Sequence, residues 1–205
     1  MTIRALVTTV AAILLLAGCA TQPRVAAVSV DPAARRALLE SQPKWEARGR
    51  IAVKAAASSG QGNFIWQQDG NSTLIRVAGP FGAGGYEIHW DPARLTVTTS
   101  RGAIAADYEG PEAARRFLDE QLGWSLPVAD AREWLLGLSG ASGAAMETVG
   151  ADGLLAGLVQ GDWRVEFSGY AASTIPPDRT VYLPRKLTAE SPDARIRLVI
   201  DDWRF

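Results

Sequence analysis

Residues 86–98, Tyr86-Glu87-Ile88-His89-Trp90-Asp91-Pro92-Ala93-Arg94-Leu95-Thr96-Val97-Thr98, alternate apolar and polar side chains on both sides of an Asp-Pro turn signal. A period of two sets Tyr86, Ile88 and Trp90 on one face of a strand and Glu87 and His89 on the other. It sets Leu95 and Val97 against Thr96 and Thr98 in the same way. The same pattern extends outward: Ile51 and Val53 alternate with Arg50 and Lys54, and Phe64 and Trp66 with Asn63, Ile65 and Gln67. It returns at Leu154–Val159, at Trp163, Val165 and Phe167, at Leu183–Ala189, and at Ile196, Leu198 and Ile200. Turn signals separate these runs at Ser58-Ser59-Gly60, Asp69-Gly70-Asn71, Gly79-Pro80 through Gly85, Arg101-Gly102, Gly161-Asp162 and Ser191-Pro192-Asp193. Intervals of roughly 8–12 residues suit an antiparallel meander. About 9–11 strands with one apolar face each must curl or stack to hide it, so a mainly β fold with a curved sheet or open barrel is expected.

Three helical stretches interrupt the pattern. Asp31-Pro32 is an N-cap and first-turn pair, opening a helix that runs to about Ser41 before Pro43. Gly110-Pro111-Glu112 opens a second, with Ala114, Phe117, Leu118 and Leu122 in one apolar stripe before Gly123. Pro127 opens a third, with Val128, Ala131, Trp134, Leu135 and Leu138 on one side. Such short amphipathic helices can cover the mouth of a barrel. Of the seven tryptophans, Trp45, Trp66, Trp90, Trp163 and Trp203 fall in or beside strands. They suit either a solid aromatic core or the walls of a ligand cavity.

The chain starts with Arg4 and an apolar run from Ala5 to Ala17 broken only by Thr8 and Thr9, then Leu16-Ala17-Gly18-Cys19, which holds the only cysteine. The run is short for a bilayer span, and small residues just before a cysteine suit cleavage next to a lipidated thiol. Residues 1–18 therefore read as a lipoprotein signal peptide, Cys19 as the lipidation site, residues 19–30 as a flexible tether and 31–205 as one domain. A plain secretory signal, or an N-terminal anchor helix, with an incidental cysteine is the alternative. Ala20 in second place, instead of aspartate, favours the outer membrane. With Cys19 lipidated, no thiol remains for a disulfide. Arg4 is the only charged residue of the leader, so the mature part is slightly acidic and offers no basic field for nucleic acid.

Catalytic chemistry finds no support. The single histidine, His89, sits on the polar side of its strand beside Glu87, and no Gly-x-Ser-x-Gly elbow accompanies it. One histidine and a lipidated cysteine cannot assemble a zinc site, and Asp201-Asp202 lacks EF-hand spacing. No metal, no cofactor and no enzymatic activity are expected. The run Gly79-Pro80-Phe81-Gly82-Ala83-Gly84-Gly85 lacks the Lys-Ser or Lys-Thr of a phosphate loop and leads into a strand. As a hairpin loop it carries Phe81, which either folds back on the sheet or stands out toward a membrane or partner.

Several segments in order resemble one family. They are Gly49-Arg50-Ile51-Ala52-Val53, Phe64-Ile65-Trp66-Gln67-Gln68, Gly79-Pro80-Phe81-Gly82, Leu122-Gly123-Trp124-Ser125-Leu126-Pro127-Val128 and Trp134-Leu135-Leu136-Gly137-Leu138. Trp163 to Tyr170, Leu183-Pro184-Arg185-Lys186-Leu187 and Arg197 to Trp203 continue the set. Behind a lipobox they resemble the LolB outer-membrane lipoprotein receptors. The resemblance implies a half-closed antiparallel barrel with helices as a lid over a hydrophobic cavity. It further implies a monomer on the periplasmic side of the outer membrane that takes acylated lipoproteins from a LolA carrier, shelters their acyl chains and inserts them into the inner leaflet. Phe81 matches the protruding apolar residue of the family's Asn-Pro-Leu-Gly loop, with Gly79 in place of the asparagine. The walls of the cavity are then expected from Phe64, Trp66, Tyr86, Ile88, Trp90, Leu95, Val97, Trp163, Val165 and Phe167, with Trp134 and Leu135 from the lid. A non-catalytic scaffolding lipoprotein without a cavity is the competing reading.

Overall fold

The computed structural model describes residues 29–56, 59–79 and 84–205. The expected signal peptide, Cys19, the tether up to residue 28 and Phe81 therefore lie outside the described residues. Eleven of the thirteen strands described form one antiparallel sheet. In chain order the first six are β1 (Lys44–Ala55), β2 (Ser59–Asp69), β3 (Ser72–Ala78), β4 (Gly85–Asp91), β5 (Arg94–Thr99) and β6 (Ile104–Glu109). They are followed by β7 (Ala145–Val149), β8 (Leu155–Gln160), β9 (Trp163–Ser168), β10 (Ala171–Ile175), β11 (Arg179–Leu183), β12 (Lys186–Glu190) and β13 (Ala194–Arg204). Across the sheet the order is β6-β5-β4-β3-β2-β1-β13-β12-β9-β8-β7, and β10 and β11 pair only with each other. The sheet is open at β6 and β7, a half-closed barrel as expected.

Pairing of β1 with β13 welds the ends of the domain at the middle of the sheet, with Ala47 opposite Trp203 and Ile51 opposite Leu198. The ladder shifts between Arg48 and Gly49, which face Asp202 and Ile200, so Asp201 is an extra residue on β13. Such a bulge resets the two-residue period. Ile200 and Trp203, three apart, are thereby both buried on the inner face, while Asp201 stays exposed and pairs with Arg50 at 3.3 Å. Strict alternation would have turned Trp203 outward. Gly49, buried opposite Ile200, has no room for a side chain: a Cβ there would collide with the Val199 carbonyl. Gly49→Ala is accordingly expected to destabilise the fold by about 2 kcal/mol, measurable as a lowered urea midpoint with an unchanged m value.

The three α-helices among the described residues are α1 (Pro32–Glu40), α2 (Ala113–Phe117) and α3 (Val128–Leu135). Asp31 caps α1, accepting from the amides of Ala33 and Ala34 at 2.9 and 3.3 Å. The second stretch is not one α-helix. After α2 it widens into a π turn over Leu118–Leu122, closed by Gly123 at φ 73°. The segment expected as one strand from Leu183 to Ala189 is also divided, because Pro184 brings no N–H to a ladder. Leu183 ends β11, and Lys186 begins β12 in the main sheet.

At the end of the sheet where β1 begins, Trp45 stacks on Trp66 with centroids 6.3 Å apart and packs against Trp203 at 5.7 Å. This end is closed further by α1. Its buried Arg35 donates to the carbonyls of Gly137 (2.9 Å), Leu136 and Tyr182 (2.9 Å) and lies 5.6 Å from the centre of the Tyr170 ring. Burial pushes the Tyr170 phenol up to about 12, so it stays protonated and donates to the Leu155 carbonyl at 2.7 Å. The first described residues leave from here too, since the Val30 amide donates to the Asp152 carbonyl, in the β7–β8 turn, at 2.8 Å.

Candidate functional site

The inner face of the sheet is covered unevenly. On the β5–β6 side, Ala113 and Ala114 of α2 pack on Leu95 and Val97, with Trp90, Tyr108 and Phe117 around them. On the β8–β9 side, Trp163 lies 6.4 Å from Trp124 and 6.0 Å from Trp134, above Val165 and Phe167. Between these two packed flanks the helical segments stand off the sheet. The space left is a cavity of about 570 Å³.

Its floor is Ile51 and Val53 of β1, Phe64 and Trp66 of β2, Ile75 and Val77 of β3, Tyr86 and Ile88 of β4, and the inward residues of β12 and β13, Leu187, Ala189, Ile196 and Leu198. Its roof is Leu122, Trp124 and Leu126 after α2, and Ala131, Trp134 and Leu135 of α3. Among the described residues, Ser59 and Gln61 are the only lining residues with polar side chains other than the tyrosine and tryptophans, and both belong to the start of β2. Gly60, Gly79, Gly84 and Gly85 line the same end, and Tyr86 there is 55% exposed, so the cavity opens where β1, β3 and β5 finish. Gly79 and Gly84 flank residues 80–83, so the segment that carries Phe81 begins and ends at this opening.

The roof is fixed by polar anchors placed behind it. Trp134, 1% exposed, donates its indole N–H to Gln160 Oε1 at 3.0 Å, and Gln160 also exchanges hydrogen bonds with the Gly140 backbone. Asp130 accepts from the amide and hydroxyl of Ser142. At the floor, Trp66 donates to Gln68 Oε1 at 3.1 Å, and Thr73 donates to the same oxygen at 2.9 Å. Among the described residues no buried side-chain polar atom lacks a partner, so these polar groups cost little where they stand. Charged groups stay on the outer face of the strands. There Arg76 binds Glu87 at 2.6 Å and holds its carboxyl below the usual carboxylate range, while His89 Nε2 lies 3.0 Å from Glu87 Oε1.

Six of the twelve residues expected at the walls line this cavity: Phe64, Trp66, Tyr86, Ile88, Trp134 and Leu135. Trp90, Leu95, Val97, Trp163, Val165 and Phe167 do not; they belong to the two packed flanks, where helical side chains lie directly on them. The expectation of cavity walls is corrected at these six, since alternation gives the face of a strand but not what sits above it. The residues missed include Ile196 and Leu198, whose alternation was legible, and Ile75 and Val77 of β3, a strand not expected at all.

An open antiparallel half-barrel, lidded by helices over an apolar chamber, is the class that fold and site define. The model of the family "Outer membrane lipoprotein LolB" matches residues 43–203. An outer-membrane lipoprotein LolB of Pseudomonas putida is 32% identical over 198 residues, covering 94% of this chain and 92% of the relative. One of Nitrosococcus oceani is 34% identical over 202 residues, covering 94% of each. The chain belongs to the LolB family, as an outer-membrane lipoprotein and not an enzyme. A solved DUF1329 family protein from Desulfovibrio piger is similar in fold alone, with a TM-score of 0.51 and 10% identity over 86% of this chain and 94% of the other.

Proposed function

We propose that this protein takes acylated lipoproteins from a LolA-type periplasmic carrier, holds their acyl chains in the cavity and inserts them into the inner leaflet of the outer membrane. Cys19 carries the lipid that anchors it there, with residues 31–205 facing the periplasm as a single, monomeric domain. The observation that carries this reading is an apolar chamber of about 570 Å³ that opens at the end where residues 80–83 are attached. Its volume lies in the range of pockets that enclose small apolar ligands, about 300–1,000 Å³.

The physical case is independent of the relatives. An acyl chain in water costs ~0.8 kcal/mol per CH₂, on the order of 10 kcal/mol for one chain, so cargo must be sheltered at every stage of its passage. Without an energy source, each acceptor must bind better than its donor and the bilayer best of all. A chamber with an exposed opening serves such a relay better than a sealed one, because the chains can leave. The test uses the Cys19→Ala chain, free of its anchor. It is expected to take up a fluorescent apolar probe and to strip lipoproteins from charged carrier. Uptake of neither would leave only a scaffolding role.

A further inference from the structure

The β5–β6 turn is tied to the start of β4. The Ser100 amide donates to the Gly85 carbonyl at 2.9 Å, and the turn closes on itself through the Thr99 amide and Ala103 carbonyl, also at 2.9 Å. Residues 100–104 therefore stand beside Gly84, Gly85 and Tyr86, at the opening of the cavity. Two large apolar side chains face water there, Tyr86 at 55% and Ile104 at 68% exposure. Arg101, exposed in the turn between them in sequence, makes no ion pair among the described residues.

An amphipathic ring, an aliphatic chain and an unpaired guanidinium at one end of the sheet match the layers of a bilayer interface. Tyrosine settles at headgroup level, an aliphatic side chain reaches the acyl boundary, and arginine meets phosphates. The bilayer is the standing neighbour of an outer-membrane lipoprotein. We propose that Tyr86, Arg101 and Ile104 form a lip that rests on the phospholipid headgroups beside segment 80–83 and holds the cavity opening against the leaflet. The proposal rests on the reading that the cavity discharges into the membrane. It adds a contact in which Arg101 recognises anionic phospholipid.

The experiment is flotation of the Cys19→Ala chain with vesicles of phosphatidylethanolamine and phosphatidylglycerol, so that no binding comes from the anchor. Ile104→Ser is expected to lower partition about fivefold. Arg101→Ser should lower it about fivefold on these vesicles and little on pure phosphatidylcholine. Both variants should accept cargo from the carrier at the parent rate. If Phe81→Glu lowers partition and neither lip variant does, the lip is overturned and the functional reading stands. If Ile104→Ser alters self-association in sedimentation and leaves partition unchanged, the edge serves a second copy of this chain and the lip is again overturned. A parent chain that neither partitions nor accepts cargo would overturn the functional reading and the lip with it.

Discussion

Phe81→Glu is expected to leave folding and cargo acceptance nearly unchanged while slowing delivery into membranes on the order of a hundredfold. The figure follows from the cost of placing a carboxylate in hydrocarbon, about 2.5–3.5 kcal/mol at mid-bilayer, set against a side chain that favours it. The segment 80–83 starts and finishes at glycines that line the opening, so a change within it acts where chains would leave. The core is unaffected because the substitution removes none of the buried residues of the described strands and helices. Two rates decide the matter: loss of lipoprotein from charged carrier, and its appearance in vesicles. Normal delivery would mean that Phe81 does not enter the bilayer. Phe81→Leu, which keeps the apolar character, should deliver at close to the parent rate.

Trp134→Ala should produce the largest loss of stability, about 4 kcal/mol. The side chain is 1% exposed, packs on Trp163, roofs the cavity and donates to Gln160. Its removal would join the cavity to the flank over β9 and release α3 from the oxygen that fixes it. Urea unfolding followed by far-ultraviolet circular dichroism checks the value, and a loss below about 2 kcal/mol would show that α3 is held from elsewhere. Trp134→Phe, which retains most of the volume and loses the indole donor, should cost about 1 kcal/mol.

The architecture was legible where residues carry a strong alternation. Phe64 and Trp66, or Trp163, Val165 and Phe167, have one chemical identity on each face, and that settles the strand. β7 reads Ala145-Met146-Glu147-Thr148-Val149 and β10 reads Ala171-Ala172-Ser173-Thr174-Ile175, neither of which alternates apolar with polar along its length, and it is their partners that make them strands. β6 hid for the same reason, with Ala105 and Ala106 at its centre. The site was half legible. Inward direction is a local property of a strand, whereas distance from a covering helix depends on contacts remote in sequence. Leu95 and Ile88 look alike on paper, yet only Ile88 reaches the cavity. The bulge at Asp201 is likewise a matter of register, visible only once β13 is laid against β1.

The hydrogen bond from Val30 to Asp152 fixes where the leash begins. It lies at the end of the body opposite the cavity opening, since β8 starts there and runs toward the opening in the same direction as β1. With Cys19 as the lipid anchor, about 11 residues remain before Val30, and they span at most ~40 Å when drawn taut. The 12 residues of β1 cover a similar length, ~40 Å at ~3.3 Å each. On the proposed anchoring through Cys19, body and leash would be matched: the domain could stoop until its open end met the surface that holds it, and could travel hardly any farther. On the proposed function, a receptor moored so closely would not cross the periplasm to collect its freight, and that voyage would fall to a diffusing shuttle.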